Sequence, residues 1–92
     1  MSLPRVRADF NTNSLANSFT QEDLRRQGLE LRPGMRCVFY DLDAEDDVPG
    51  FLHTEAEVWW DERSGVFRLD MRTYAFRFTP GSDLSVLDPY YP

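Results

Sequence analysis

The two-residue alternation of apolar and polar side chains from Met35 onward is the feature that most constrains this chain. Residues 35–42, 51–61 and 66–71 are rich in β-branched and aromatic side chains, and turn-forming residues separate them. Successive side chains of a strand point to opposite faces of its sheet. The pattern therefore predicts consecutive antiparallel strands, each with one face turned toward a core.

The loop 62–65, which ends in glycine, predicts a hairpin between the second and third of these strands. We expect the core face of the longer strand to carry Leu52, Ala56, Val58 and Trp60, and its other face to carry His53, Glu55, Glu57 and Trp59. The predicted register pairs Asp61 with Val66, Trp60 with Phe67, Val58 with Leu69 and Ala56 with Met71. On the other face it pairs Trp59 with Arg68, Glu55 with Arg72 and, unfavourably, Glu57 with Asp70.

The alternation changes phase after Met71. Tyr74, Phe76 and Phe78 continue it one residue out of step, which predicts a β-bulge or tight turn near residues 72–73. Beyond Pro80-Gly81 the sequence predicts a short closing strand at 83–87 and a tail at 88–92.

The N-terminal third contains fewer strand signals. Residues 5–10 alternate apolar and charged side chains, which predicts a short strand with one buried face. Thr20 is suited to cap a helix of one or two turns over 20–28, which ends at Gly28. Pro33-Gly34 predicts a type II turn.

Together these elements predict a mainly β protein, a small antiparallel SH3-like or OB-like barrel of five to six strands with one short helical turn. Ninety-two residues correspond to one domain, 1–92. Within it we distinguish an N-terminal segment (4–19), the short helix (20–28) and a strand-rich core (35–87).

Several short motifs resemble those of a group of small bacterial β-barrel proteins of unknown function. In chain order they are Ala8-Asp9-Phe10-Asn11, Thr20…Asp23-Leu24, Gly28-Leu29-x-Leu31-x-Pro33-Gly34-Met35 and Tyr40-Asp41-x-Asp43, followed by a hydrophobic strand after Gly50. The resemblance covers residues 8–60. It implies a β-barrel fold and carries over no activity and no site residues.

The charge of the chain is acidic and unevenly distributed. The formal net charge is −6, with a balance of +2 over residues 1–36 and −8 over residues 37–92. Such a surface disfavours nucleic acid as a partner. No apolar run is long enough to cross a membrane, and a lone cysteine, Cys37, gives no sign of an oxidising compartment. We therefore expect a cytoplasmic protein with no membrane partner.

The sequence shows no catalytic motif and calls for no cofactor, so we expect a non-catalytic domain that binds a protein partner or a second copy of itself. The candidate interaction residues are Trp59, Arg68, His53 and Tyr74. Trp59 is either covered by the N-terminal segment or offered to a partner, because interfaces favour tryptophan.

Two other functions stay open. Asp41, Asp43, Asp46 and Asp47 are candidate ligands for a divalent metal, although Asp46 and Leu52 stand where an EF-hand loop needs glycine and glutamate. The competing interpretation of these aspartates is a charged hairpin that protects a strand edge. A small enzyme using His53, for instance paired with Cys37, is the third and least favoured function.

Overall fold

The computed structural model describes residues 3–70 and 76–91. Its elements are β1 (Arg5–Arg7), α1 (Ser18–Gln27), β2 (Arg36–Glu45), β3 (Val48–Asp61), β4 (Val66–Leu69), β5 (Arg77–Pro80) and a C-terminal 3₁₀ helix (Leu84–Leu87). The strands form one sheet in the order β1-β2-β3-β4, and β5 also pairs with β3. The prediction of a mainly β chain with one helix is confirmed. In the described residues the sheet is not closed, and the SH3-like or OB-like identity stays a prediction.

The 14-residue strand β3 lies at the centre of the sheet. Its residues 48–57 pair with β2 on one side. On its other side, β5 pairs with residues 50–53 and β4 with residues 58–61. The predicted hairpin register is confirmed where β4 pairs, including Trp60 opposite Phe67 and Trp59 opposite Arg68. The predicted partners Met71 and Arg72 lie outside the described residues.

The predicted change of phase between β4 and β5 is also confirmed. Seven residues, 70–76, separate Leu69 from Arg77, whereas only four residues of β3, 54–57, separate their partners Val58 and His53. The connection from β4 to β5 is thus three residues longer than the matching part of β3. Because this difference is odd, the alternation of β5 is out of step with that of β4. Residues 72–73, near which we predicted a bulge or tight turn, lie outside the described part of the chain.

One strand pair is parallel, contrary to the prediction of a fully antiparallel sheet. β1 runs parallel to β2, with Val6 opposite Phe39. A parallel neighbour requires a crossover connection, and α1 lies within it. The N-terminal third therefore forms a β-α-β unit.

The helix begins earlier than predicted. Asn17, and not Thr20, is the N-cap: its side chain accepts a hydrogen bond from the backbone N–H of Thr20, at 2.9 Å. The ten-residue helix then ends as predicted at Gly28, whose φ is +63° and whose N–H donates to carbonyls of the last turn. Thr20 lies inside the helix, and its hydroxyl donates to the Arg7 carbonyl of β1 instead of capping the helix.

A polar stripe on α1, formed by Thr20, Asp23 and Gln27, covers the outer edge of β1. The Thr20 hydroxyl donates to the Arg7 carbonyl at 2.7 Å, and the Gln27 amide donates to the Arg5 carbonyl at 2.7 Å. The Asp23 carboxylate accepts from the Arg7 N–H at 2.9 Å. The three residues lie on one helix face by their spacing, and they occupy edge groups that another strand would otherwise pair with.

Both faces of the sheet are covered. One core contains Leu15, Leu24, Cys37, Phe39, Val58 and Leu69, among others, beneath the N-terminal segment and α1. The opposite core contains Val38, Tyr40, Phe51 and Leu87. The chain ends differently from the prediction: residues 84–87 form a 3₁₀ helix instead of a strand, residues 88–90 continue as turns, and Tyr91 packs against this second core.

The repulsive pair expected in the hairpin is relieved from the other side of β3. The Arg36 guanidinium of β2 lies 3.0 Å from the Glu57 carboxylate and also binds Glu55. Backbone pairing still places Asp70 next to Glu57, because the Asp70 N–H donates to the Glu57 carbonyl at 3.1 Å. The cation that compensates Glu57 therefore comes from a strand that the hairpin pattern did not consider.

We predict that Asp23→Ala lowers the free energy of unfolding by about 2 kcal/mol, because the part-buried Arg7 N–H loses its charged acceptor. The matched control is Glu22→Ala, the exposed neighbouring acid on the same helix, which should change it by less than about 0.5 kcal/mol. Urea denaturation measures both. Equal losses in the two variants would show that the polar stripe does not hold the edge.

Candidate functional site

The Arg68 side chain is bound by three other side chains of the same chain. Its guanidinium donates to the Asp61 carboxylate at 2.7 Å, to the Asn13 side chain at 2.9 Å and to the Ser64 hydroxyl at 3.0 Å. The hydrogen bond from Ser64, followed by that from Arg68, lowers the pKa of Asp61 to about 2. Arg68 therefore fastens the hairpin loop to the N-terminal segment. Tyr74, a further predicted interaction residue, lies outside the described residues.

Trp59 and Trp60 point to opposite faces of the sheet at the end of β3. Trp59 is 42% exposed, and its indole N–H donates to the Leu69 carbonyl at 3.3 Å. Trp60 was predicted to be a core residue, yet it is 43% exposed. Its ring packs edge-on against Phe67 with 4.9 Å between centroids. The core prediction for Trp60 was wrong because this position lies at the end of the hairpin, where the sheet is only partly covered.

Trp60 and Phe67 line a groove between α1 and the β3–β4 hairpin, which we call the helix–hairpin groove. It consists of two clefts of about 360 Å³ and 350 Å³ that share Gln21 and Phe67. The first cleft is completed by Leu15, Ala16, Trp60, Gly65 and Val66, and the second by Leu24, Arg25, Leu29, Glu30 and Leu31. The lining is thus largely apolar, with two charged side chains at one end.

The walls of the groove are joined by hydrogen bonds. Residues 13–15 pair with the outer edge of β4: the Leu15 N–H donates to the Phe67 carbonyl at 2.9 Å, and the Leu69 N–H donates to the Asn13 carbonyl at 2.8 Å. The Gln21 amide donates to the Leu15 carbonyl at 2.7 Å and so links α1 to this segment. The groove is a surface with fixed walls, which is the usual condition of a binding site.

His53 is completely buried, contrary to its predicted place on an interaction surface. Its Nδ1 lies 2.8 Å from the Tyr91 hydroxyl and its Nε2 lies 2.7 Å from the Thr79 hydroxyl. Burial, and secondarily the positive charge of Arg77, lower the pKa of His53. The residue holds the C-terminal turns against the sheet. Alternation along β3 indicates on which face of the sheet His53 lies, but not whether that face is covered. The C-terminal segment covers it.

The proposed His53–Cys37 pair is not formed. Cys37 belongs to the core beneath α1, whereas His53 lies opposite Tyr40 on the other face of the sheet. Burial raises the pKa of the Cys37 thiol to about 11, so it carries little of the thiolate that nucleophilic chemistry requires.

Residues 41–50, most of which lie between two of the predicted strands, are themselves mostly strand. Residues 41–51 form the outer part of the β2–β3 hairpin, which we call the arm, and its turn is Asp46-Asp47 with φ values of 49° and 64°. Positive φ at both central residues is the geometry of a type I′ turn. Every residue from Leu42 to Pro49 is exposed.

Asp41 and Asp43 accept hydrogen bonds from backbone N–H groups on the unpaired edge of the arm. The Val38 N–H and the Tyr40 carbonyl point toward the N-terminal segment, so the N–H groups of Leu42 and Ala44 face the same side by alternation. The Asp41 carboxylate accepts from Leu42 N–H at 2.9 Å, and the Asp43 carboxylate accepts from Ala44 N–H at 2.8 Å. These contacts support the interpretation of a protected strand edge.

The four candidate metal ligands are not gathered at one point. Asp41 and Asp43 lie along β2, and Asp46 and Asp47 form the turn beyond it. Within residues 3–70 and 76–91, no group of three or more His, Cys, Asp or Glu side chains is arranged to hold a metal ion.

Comparison of the chain with known protein families, with curated proteins and with solved structures found no match. The resemblance to small bacterial β-barrel proteins therefore stays a prediction. Among the described residues no helix has the length and apolar character needed to cross a membrane.

We predict that the wild-type protein loses stability as the pH falls from about 7.5 to about 5.5, at up to about 1.4 kcal/mol per pH unit. The folded-state pKa of His53 is lowered, so below the unfolded pKa the unfolded chain binds more protons and is favoured. His53→Gln should be less stable at pH 7.5 and should lack this component. Urea denaturation across the range measures it, and identical slopes in the two proteins would contradict the assignment.

We predict that calcium at about 5 mM leaves the melting temperature unchanged within about 1 °C, since a ligand stabilises only the state that binds it. Differential scanning fluorimetry with calcium and with excess chelator measures this. A reproducible rise that is lost in Asp43→Asn would restore the metal-binding function.

Proposed function

We propose that this chain is a protein-binding domain that holds an apolar segment of its partner in the helix–hairpin groove. The observation that carries the proposal is the half-exposed Trp60 ring, packed on Phe67 at the mouth of the groove. A rigid aromatic side chain beside an apolar cleft is the usual anchor of a protein interface, because it buries a large area at a low cost in conformational entropy.

The dimensions and chemistry of the groove support a protein segment as its occupant. Two adjoining clefts of about 350 Å³ each provide room for side chains at two points along an extended or helical segment. Arg25 and Glu30 at one end supply charged groups that fix orientation. Trp59, Arg68 and His53 make intramolecular hydrogen bonds, which leaves Trp60 as the stronger anchor.

The cytoplasm stays the proposed place of action, and an SH3-like or OB-like small barrel stays the proposed fold type. The buried, unpaired thiol of Cys37 suits a reducing compartment. The N-terminal segment contacts both edges of the sheet, through β1 and through residues 13–15, as the chain of a small open barrel would.

We predict that peptides selected from a random displayed library on the immobilised protein bind through Trp60. Trp60→Ser should weaken a selected peptide about 30-fold, which corresponds to about 2 kcal/mol. Fluorescence anisotropy of the labelled peptide measures the affinity.

Trp59→Ser is the matched control, because Trp59 is equally exposed on the opposite face. Circular dichroism verifies that both variants are folded. An equal loss in both variants, or a selection that yields no peptide sensitive to Trp60, would contradict the groove as the binding site.

A further inference from the structure

We propose that residues 84–91, which we call the C-terminal strap, form a pH-sensitive cover. Protonation of His53 releases the strap and exposes the sheet face beneath it, while the rest of the fold stays in place. The strap lies on the second core, whereas the helix–hairpin groove opens from the core beneath α1. The inference therefore does not depend on the proposed function of the groove.

The strap can leave without breaking a strand pair. Within the described residues, its backbone hydrogen bonds join residues 83–91 to one another, and none of them reaches a strand. Leu87 is fully buried beneath it. The other members of this apolar cluster are Leu84, Val86 and Tyr91 of the strap, Val38, Tyr40 and Phe51 of the sheet, and Leu3. Detachment exposes this cluster and leaves the strand pairs formed.

The polar contacts at the rim of the strap are exposed. Arg5 forms an ion pair with Asp88, whose side chain is 63% exposed. The Arg77 guanidinium lies 5.4 Å from the centre of the Tyr90 ring, which is 42% exposed. Exposed ion pairs and cation–π contacts contribute little to stability. The buried contact with His53 therefore matters most.

His53 joins the strap to the sheet from a fully buried position. Its Nδ1 lies 2.8 Å from the Tyr91 hydroxyl of the strap, and its Nε2 lies 2.7 Å from the Thr79 hydroxyl of β5. Arg77 is its neighbour on β5, on the same face. The other titratable or charged groups on this side of the sheet around it are Tyr40 of β2, Tyr90 of the strap, and Arg5 and Arg7 of β1. A proton on His53 thus enters a dry site beside a cation.

Two carboxylates on this side of the sheet are bound by arginines. Glu55, two residues along β3 from His53, binds Arg36, and Asp88 of the strap binds Arg5. Their charges are therefore compensated where they stand. Burial and the charge of Arg77 lower the pKa of His53.

The open strap is the form that takes up the proton. In the closed form the pKa of His53 is lowered, whereas with the strap open the imidazole meets water and returns toward its ordinary pKa of about 6.5. The form with the higher pKa binds more protons as the pH falls, so acid favours opening and neutral pH favours the closed strap. The opening constant should rise up to about tenfold between pH 7.5 and pH 5.5.

Thiol labelling of the folded protein with a dipyridyl disulfide tests the inference. Leu87→Cys places a thiol between the strap and the sheet, and the native Cys37, buried in the other core, reports opening of the rest of the molecule. After correction for ionisation of the thiols, we expect position 87 to react about five- to tenfold faster at pH 5.5 than at pH 7.5. At both pH values it should react at least about tenfold faster than Cys37.

Variants of His53 and of two tyrosines, each combined with Leu87→Cys, assign the effect. His53→Gln keeps a hydrogen-bonding side chain but cannot titrate, so its labelling should differ less than about twofold between the two pH values. Tyr91→Phe removes the hydroxyl that His53 binds and should speed labelling at pH 7.5 about fivefold. Tyr90→Phe is the matched control and should leave the rate unchanged, because its ring contacts His53 while its hydroxyl makes no hydrogen bond within the described residues.

Three results would overturn the inference: labelling at position 87 that does not accelerate in acid, equal acceleration in His53→Gln, or equal rates at position 87 and Cys37. The last would show that the strap leaves only when the whole chain unfolds. If circular dichroism shows that Leu87→Cys does not fold, hydrogen exchange of the Asp88 amide, which donates to the Ser85 carbonyl at 3.0 Å, replaces it. The Val38 amide is then the reference, and the same three criteria apply.

Discussion

Three hydrogen bonds between the polar stripe of α1 and the outer edge of β1 determine how the helix lies on the sheet. Thr20 and Gln27 donate to β1 carbonyls, and Asp23 accepts from a β1 amide. A strand of three residues gains little from its own ladder, so the helix supplies the partners that its free edge lacks. With this stripe fixed, the next face of α1 presents Gln21 and Arg25 toward the hairpin, and the helix–hairpin groove follows.

The N-terminal segment (4–19) protects edges on both sides of a sheet that is too small to bury them. It pairs as β1 with β2, crosses the core, and pairs again through residues 13–15 with the outer edge of β4. The arm extends beyond this cover, and there Asp41 and Asp43 accept hydrogen bonds from the edge amides of their own strand. The acids thus have a structural reason to be where they are.

The features that local pattern determines were predicted well, and the features set by distant partners were not. The hairpin register and the change of phase depend on alternation and loop length, which the sequence contains. The parallel pairing of β1 depends on a helix that closes against it from 13 or more residues away. His53 was predicted to be exposed because alternation says nothing of a second layer, and the C-terminal turns provide one. Trp60 shows the reverse error, since an inward position at a hairpin end has no layer above it to complete its burial.

Hydrogen exchange of the Arg7 backbone amide, followed by NMR, tests most directly the claim that α1 holds the free edge of β1. Arg7 N–H points to the Asp23 carboxylate of the helix and not to another strand. We predict that this amide opens only with global unfolding, at a free energy within about 1 kcal/mol of that for the buried amide of Val38. Exchange of Arg7 at the rate of an unprotected edge amide would contradict it and would remove the basis for a groove with fixed walls.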